Sequence, residues 1–315
     1  MRSSLLATIG FALAATSQPN GHSFTDDVKS HGVLSLKFLD KLPDWDPEQR
    51  LRLQLGFDNA LDLAKSAMWE LQPPGKDALN KNSKIFKKYF MPGDFEIVLG
   101  VFKSLLSDST LGNDKLREVH FANIDMAAIC DSPNEPIQPG TIAMYTTPPQ
   151  LRKPEKATFI VVCPNAWRMG YPKSIHEVKC EETCADFKAK ECWPSARMAT
   201  IGEVILHELI HRTSVLEERP KGLEDAILDQ TMKDPDHKES KPVAAYDTYR
   251  TQKLVSTGNE KEKARYNADS YAMFAREVWF TTKCSTIPYK DPKHWESGNP
   301  NNLKPKPHST EHEEL

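Results

Sequence analysis

One stretch constrains this chain more than any other: Ile201-Gly202-Glu203-Val204-Ile205-Leu206-His207-Glu208-Leu209-Ile210-His211. Its core reads H-E-x-x-H. On a helix, residues four apart share a face, so His207 and His211 can aim ring nitrogens at a single ion. Val204, Ile205, Leu209 and Ile210 make the helix apolar, as a buried helix needs to be. Two histidines and a glutamate in such company are costly without a partner. Zinc accepts imidazole nitrogen readily, and a catalytic zinc site keeps three protein ligands and one open position. Glu208, one residue past the first ligand, stands where a base toward metal-activated water belongs. The competing reading is a pair of core histidines satisfied by hydrogen bonds, and the spacing within a helix favours ligands.

The rest of the chain is compatible with a large folded unit. It has 315 residues, 39% of them hydrophobic, enough for a real core. With 41 Lys+Arg against 44 Asp+Glu it lacks the basic excess of a nucleic-acid binder. No stretch reaches the roughly 18–20 apolar residues of a membrane span. The first residues, MRSSLLATIGFALAATSQPN, combine Arg2, a short apolar run and Ala12-Leu13-Ala14. They read as a secretory signal peptide over 1–17, followed by a polar lead-in over 18–42. The last residues, 289–315, are rich in Pro, Asn and charge and read as a disordered tail. The folded domain is expected over 43–288. Cys130, Cys163, Cys180, Cys184, Cys192 and Cys284 are even in number, and in an exported chain they suggest three disulfides, whose connectivity the sequence leaves open among 15 possibilities.

Asp46-Pro47 opens a helix with an N-cap and a proline at its first position. Leu53, Phe57, Ala60, Ala64, Ala67 and Leu71 continue it at helical spacing. A second helix starts near Asp94. Glu118–Ile124, Thr141–Thr146 and Thr158–Cys163 are short β-branched or aromatic runs that read as strands. Helical signals return at Ser195 and continue to about Cys284, with GLEDAILDQ after the histidines read as a further helix. Helices, then strands, then helices imply an α+β fold with a segregated sheet.

A third ligand is needed, and the sequence after His211 lacks the Gly and third His of the longer metzincin pattern. Glu224 and Asp225 are candidates. Further on come Tyr246-Asp247-Thr248-Tyr249 and then Asn267-Ala268-Asp269-Ser270-Tyr271-Ala272-Met273-Phe274-Ala275. HELIH, an Asp flanked by tyrosines and NADSYAMFA together resemble the deuterolysin-type aspzincins, secreted fungal metalloendopeptidases with lysine-specific members. Tyr89-Phe90 and Cys130-Asp131 fit the same family. The resemblance runs from about 45 to 285 and is tight from 200 on. It implies a zincin-like domain with N-terminal helices, a small mixed sheet, an active-site helix and a helical C-terminal part.

In that family an Asp within G-T-x-D-x-x-Y-G completes the ligand set and a nearby Tyr stabilises the oxyanion. The resemblance therefore implies one zinc per chain held by His207, His211 and Asp247, with Glu208 as base and Tyr249 as the tyrosine. It also implies that Asp269 supports the site by orienting a ligating histidine, a role that suits a carboxylate. This chain departs from the pattern. Ala244-Ala245 replaces Gly-Thr, Tyr249 follows Asp247 by two rather than three, and Arg250 takes the tyrosine's place. The long charged stretch from Arg212 to Val243 reads as an insertion. Matching on Tyr249 without a gap would put Tyr246 in the ligand slot, so Asp225 and Glu224 stay in reserve.

The expectation is a secreted, monomeric zinc endopeptidase acting on protein or peptide substrates, without nucleic-acid or membrane partners. The altered third-ligand segment keeps one rival open: a secreted zincin-fold protein, such as an effector, allergen or metal-binding protein, that has lost turnover. Another is a disulfide-stabilised binding module with purely structural histidines.

Overall fold

The computed structural model describes residues 37–38, 45–74, 79–106, 116, 119–123, 125, 128–131, 142–146, 158–180, 198–211, 220, 222–233 and 242–284. The signal-peptide and tail assignments, Cys184 and Cys192 lie outside them. Strand β1 (Lys37–Phe38) is followed by helix α1 (Pro47–Leu71). The Asp46 carboxylate caps this helix by accepting from the Glu48 N–H at 2.7 Å, and Pro47 stands in its first turn as expected. A short helix α2 (Phe86–Tyr89) and helix α3 (Phe95–Leu106) follow. Three short strands come next: β2 (Val119–Ala122), β3 (Met144–Thr146) and β4 (Thr158–Val162). Helix α4 (Ile201–Ile210) carries the histidine motif. Then come β5 (Thr231–Met232), β6 (Val243–Ala244), helix α5 (Asp247–Ser256) and helix α6 (Ala268–Cys284).

The fold is α+β, and the larger sheet is mixed. Its order is β1-β2-β4-β3, with β1, β2 and β4 parallel and β3 antiparallel to β4 at one edge. Two disulfides lie among the described residues. Cys130–Cys163 ties the loop after β2 to the end of β4, and Cys180–Cys284 ties α6 to the segment beyond β4. Asp125 braces the first bridge by accepting the N–H groups of Ile129 and Cys130 and the Tyr145 hydroxyl. No described helix is long and apolar enough to cross a membrane.

Helices α1, α4 and α6 pack around one core. Phe86, Phe90, Phe102, Tyr271 and Phe274 stack within it, ring centroids 4.9–6.0 Å apart. Tyr89 belongs to the same layer; its hydroxyl donates to Glu277 at 2.7 Å, and Lys88 pairs with the same carboxylate. The contact that sets the motif helix in place is the crossing of α1 and α4. A Cβ on Gly202 would lie 2.5 Å from the Asn59 Cβ, and one on Gly56 would lie 2.6 Å from the Ile201 Cγ2. The two helices therefore meet through glycines, closer than any side chain would permit. On the other side of α4, edge strand β3 delivers Thr146 to Glu208.

Residues 222–230, expected as a helix, are not helical. They form a turn and a loop, with Leu228 bridged to Asn267: the Leu228 N–H donates to the Tyr266 carbonyl at 2.9 Å, and the Ala268 N–H to the Leu228 carbonyl at 3.1 Å. The apolar spacing in GLEDAILDQ fits a helix, but pairing with the start of α6 satisfies the same backbone groups and overrides it.

Candidate metal centre

Thr200 caps α4 by accepting the Glu203 N–H, and the helix then presents His207 and His211 on one face. Their Nε2 atoms lie 3.0 Å apart. Asp229 Oδ1 completes a triangle, 3.1 Å from His207 Nε2 and 3.3 Å from His211 Nε2. Four-coordinate zinc with bonds of 2.0–2.1 Å needs donor–donor separations of about 3.3 Å. This His/His/Asp group could hold a metal ion.

Hydrogen bonding on the far side of each ring decides which nitrogens face inward. His211 Nδ1 lies 3.0 Å from the Ile227 carbonyl, which can only accept, so Nδ1 carries the proton. His207 Nδ1 lies 3.2 Å from Asp269 Oδ1. With both outer nitrogens donating, neutral rings turn two bare lone pairs toward each other beside a carboxylate. That arrangement repels itself unless a cation or protons sit among the three atoms. The charges respond in the same sense. Burial pulls the His207 imidazole down, but hydrogen bonds to Asp229 and Asp269 outweigh it and raise the group well above its ordinary value. Burial pushes Asp229 up, while the two imidazoles hold it far below the usual carboxylate range.

Glu208 is buried, and Thr146 sits over it: the threonine hydroxyl lies 2.8 Å from Glu208 Oε2 and 3.0 Å from the Glu208 carbonyl. Asp269 lies between His207 and Asp247. One of its oxygens faces His207 and the other accepts the Asp247 N–H at 2.6 Å. Below this layer Arg276 donates to Glu203 at 2.8 Å and to the Thr248 hydroxyl at 2.5 Å. Burial pushes Glu203 up to about 7, with the Arg276 guanidinium opposing the shift.

Two expected residues are elsewhere. Asp247 is not brought to the histidines: its carboxylate accepts from the Arg250 N–H at 3.0 Å and the Arg250 guanidinium at 3.3 Å. Burial raises it to about 6, and these two donors partly offset the rise. The carboxylate beside both histidine Nε2 atoms is that of Asp229. Tyr249 lies on α5 with its ring 5.4 Å from Lys253 Nζ. The tyrosine packed edge-on against His207, centroids 5.9 Å apart, is Tyr246. Burial and a hydrogen bond to Asp229 both raise its hydroxyl far above the ordinary phenol value. The reserves Glu224 and Asp225 are exposed in the loop before Asp229 and do not join the group.

The small β5–β6 ladder explains the exchange. Thr231 pairs with Ala244 and Met232 with Val243, and the Ala245 N–H donates to the Gln230 carbonyl at 2.8 Å. Asp229 therefore precedes one strand and Tyr246 follows the other, side by side although residues 230–245 separate them in sequence. Asn267 clamps both ends. Its Oδ1 accepts the Gln230 N–H at 3.1 Å and its Nδ2 donates to the Ala245 carbonyl at 3.0 Å. Asp229, Tyr246, Thr146 and Asn267 escape a reading of helical motifs. The one signal for them is Asn267, two residues before Asp269 in the NADSY stretch. No protein-family model and no curated protein matches the chain.

Proposed function

We propose that the chain is a secreted zinc-dependent endopeptidase of the aspzincin type, with His207, His211 and Asp229 holding one zinc ion. The observation that carries this reading is the pair of Nε2 lone pairs converging on one carboxylate oxygen, at separations suited to tetrahedral zinc. Glu208 beside that group makes the reading catalytic rather than structural. In the family's segment the ligand Asp and the Tyr then correspond to Asp229 and Tyr246, which the β5–β6 ladder brings side by side. The two disulfides are consistent with export.

A zinc ion supplies Lewis acidity, which acidifies water and polarises a peptide carbonyl. The chain's own residues do the rest. Glu208, held by Thr146, accepts a proton from the attacking water and returns it to the departing amine nitrogen. Tyr246, beside the His pair, can turn its hydroxyl from Asp229 to the oxyanion of the tetrahedral intermediate. Asp269 and the Ile227 carbonyl keep both rings in the tautomer that leaves Nε2 free. Edge strand β3 runs past Glu208, so an extended peptide could add to it by backbone pairing.

The turnover-deficient alternative was motivated by the altered segment around Asp247. Asp229 supplies the missing carboxylate, and a buried Glu208 held by a hydroxyl serves no purpose in a scaffold that only binds metal. The test is zinc content and casein cleavage measured on the same samples of wild type and Glu208→Gln. One zinc per chain in both, with cleavage in the wild type alone, supports the peptidase. Zinc without cleavage in the wild type would move the reading to the scaffold.

A further inference from the structure

Asp247 opens α5 with a φ of +69°, the left-handed region that residues with a Cβ avoid. Asp and Asn tolerate it best among non-glycine residues, because their short side chains bond locally. Local bonds of that kind are present. The Asp247 carboxylate caps the Arg250 N–H, and its carbonyl accepts the Thr251 hydroxyl at 2.6 Å. The conformation has a consequence one residue away from the metal group. It lets α5 leave at an angle that keeps the Asp247 N–H on Asp269 Oδ2 at 2.6 Å, while Asp269 Oδ1 faces His207 Nδ1 at 3.2 Å. A carboxylate pinned through one oxygen cannot rotate away from the ring it orients through the other.

We propose that Asp247 is a positioning residue whose left-handed backbone, rather than its carboxylate, fixes Asp269 and through it His207. The inference rests on the zinc reading of the His/His/Asp group. It separates the two things Asp247 does. The side chain starts a helix; the backbone N–H locks the carboxylate behind a ligand. Glycine retains the second role without the first, and a β-branched residue loses both because it cannot hold this φ.

The test is zinc affinity of the full chain, read by competition with a chromogenic chelator, with the melting temperature of each metal-free variant recorded alongside. Asp247→Gly and Asp247→Asn should bind zinc within about threefold of wild type, since both accept the left-handed conformation. Asp247→Val should weaken binding about 10–100-fold, the usual cost of disturbing a residue behind a ligating histidine. Asp247→Ala gives the same sign with a milder fold defect, should the valine variant not fold. In an Asp269→Ala background the Asp247→Ala change should cost less than about twofold, because the group it acts through is gone. Equal losses for glycine and alanine, or full additivity with Asp269→Ala, would overturn the proposal and leave Asp247 a plain helix cap. A wild type that takes up no zinc would overturn the reading of the site and this inference with it. A wild type that binds zinc while glycine and alanine behave alike removes the inference alone.

Discussion

The candidate metal group is assembled from two halves built on different principles. One half is a single helix: His207, Glu208 and His211 lie within five consecutive residues, and 3.6-residue periodicity fixes their relative directions. The other half is a two-stranded ladder. Asp229, Tyr246 and Asp247 reach the site because β5 pairs with β6 in one register and Asn267 ties both ends to the start of α6. The helical half is rigid once α4 is buried. The ladder half depends on contacts between residues distant in sequence.

Changes in the helical half should have the largest effects. Glu208→Gln is expected to lower kcat by about 10²–10⁴-fold with zinc retained, the range for loss of a general acid–base. Cleavage assays on zinc-loaded variant would check it, and near-normal turnover would remove Glu208 from the mechanism. Gly202→Ala acts on the same half through the fold. Its methyl would meet the Asn59 Cβ at 2.5 Å and the Gly56 carbonyl oxygen at 2.9 Å, so α1 and α4 must part. Overpacking of this kind costs about 1–3 kcal/mol, to be read by denaturant unfolding. An unchanged midpoint would mean that the crossing is not tight.

The same contrast explains what the sequence discloses. The helix after Asp46, the three strand segments and the motif helix are local patterns, and each is legible from periodicity, caps or β-branched runs. Asp269 is legible because it sits in a compact motif at the start of a helix. Asp229 is not. It lies in GLEDAILDQ, whose apolar spacing imitates a helix, and only the neighbouring Leu228–Asn267 bridge and the register of β5 with β6 set it beside the histidines. Asp247 attracts the ligand role in the sequence because it is an Asp flanked by Tyr246 and Tyr249, as in the family it resembles. Its carboxylate is instead spent on Arg250, and the backbone faces Asp269.

A smaller effect should appear on α1, outside either half. Asp58 on α1 is pushed up from 3.8 to about 7 by burial, with the nearby Asp62 adding to the rise and a hydrogen bond from Gln54 opposing it. Between about pH 4 and 7 the folded chain keeps a proton there that the unfolded chain has released, so stability falls as pH rises through that window. Asp58→Asn should therefore be more stable than wild type by about 1–2 kcal/mol at pH 8, with no difference below pH 4. Unfolding curves at the two pH values check it; a gap that grows toward acid would reverse the sign and refute it.

The assignment of the third ligand carries the account, and one paired measurement tests it most directly: zinc per chain and peptide cleavage for Asp229→Ala beside Asp247→Asn. The account predicts that Asp229→Ala loses both zinc and cleavage, whereas Asp247→Asn retains zinc near one per chain. Zinc retained in Asp229→Ala and lost in Asp247→Asn would contradict it and return the ligand role to Asp247.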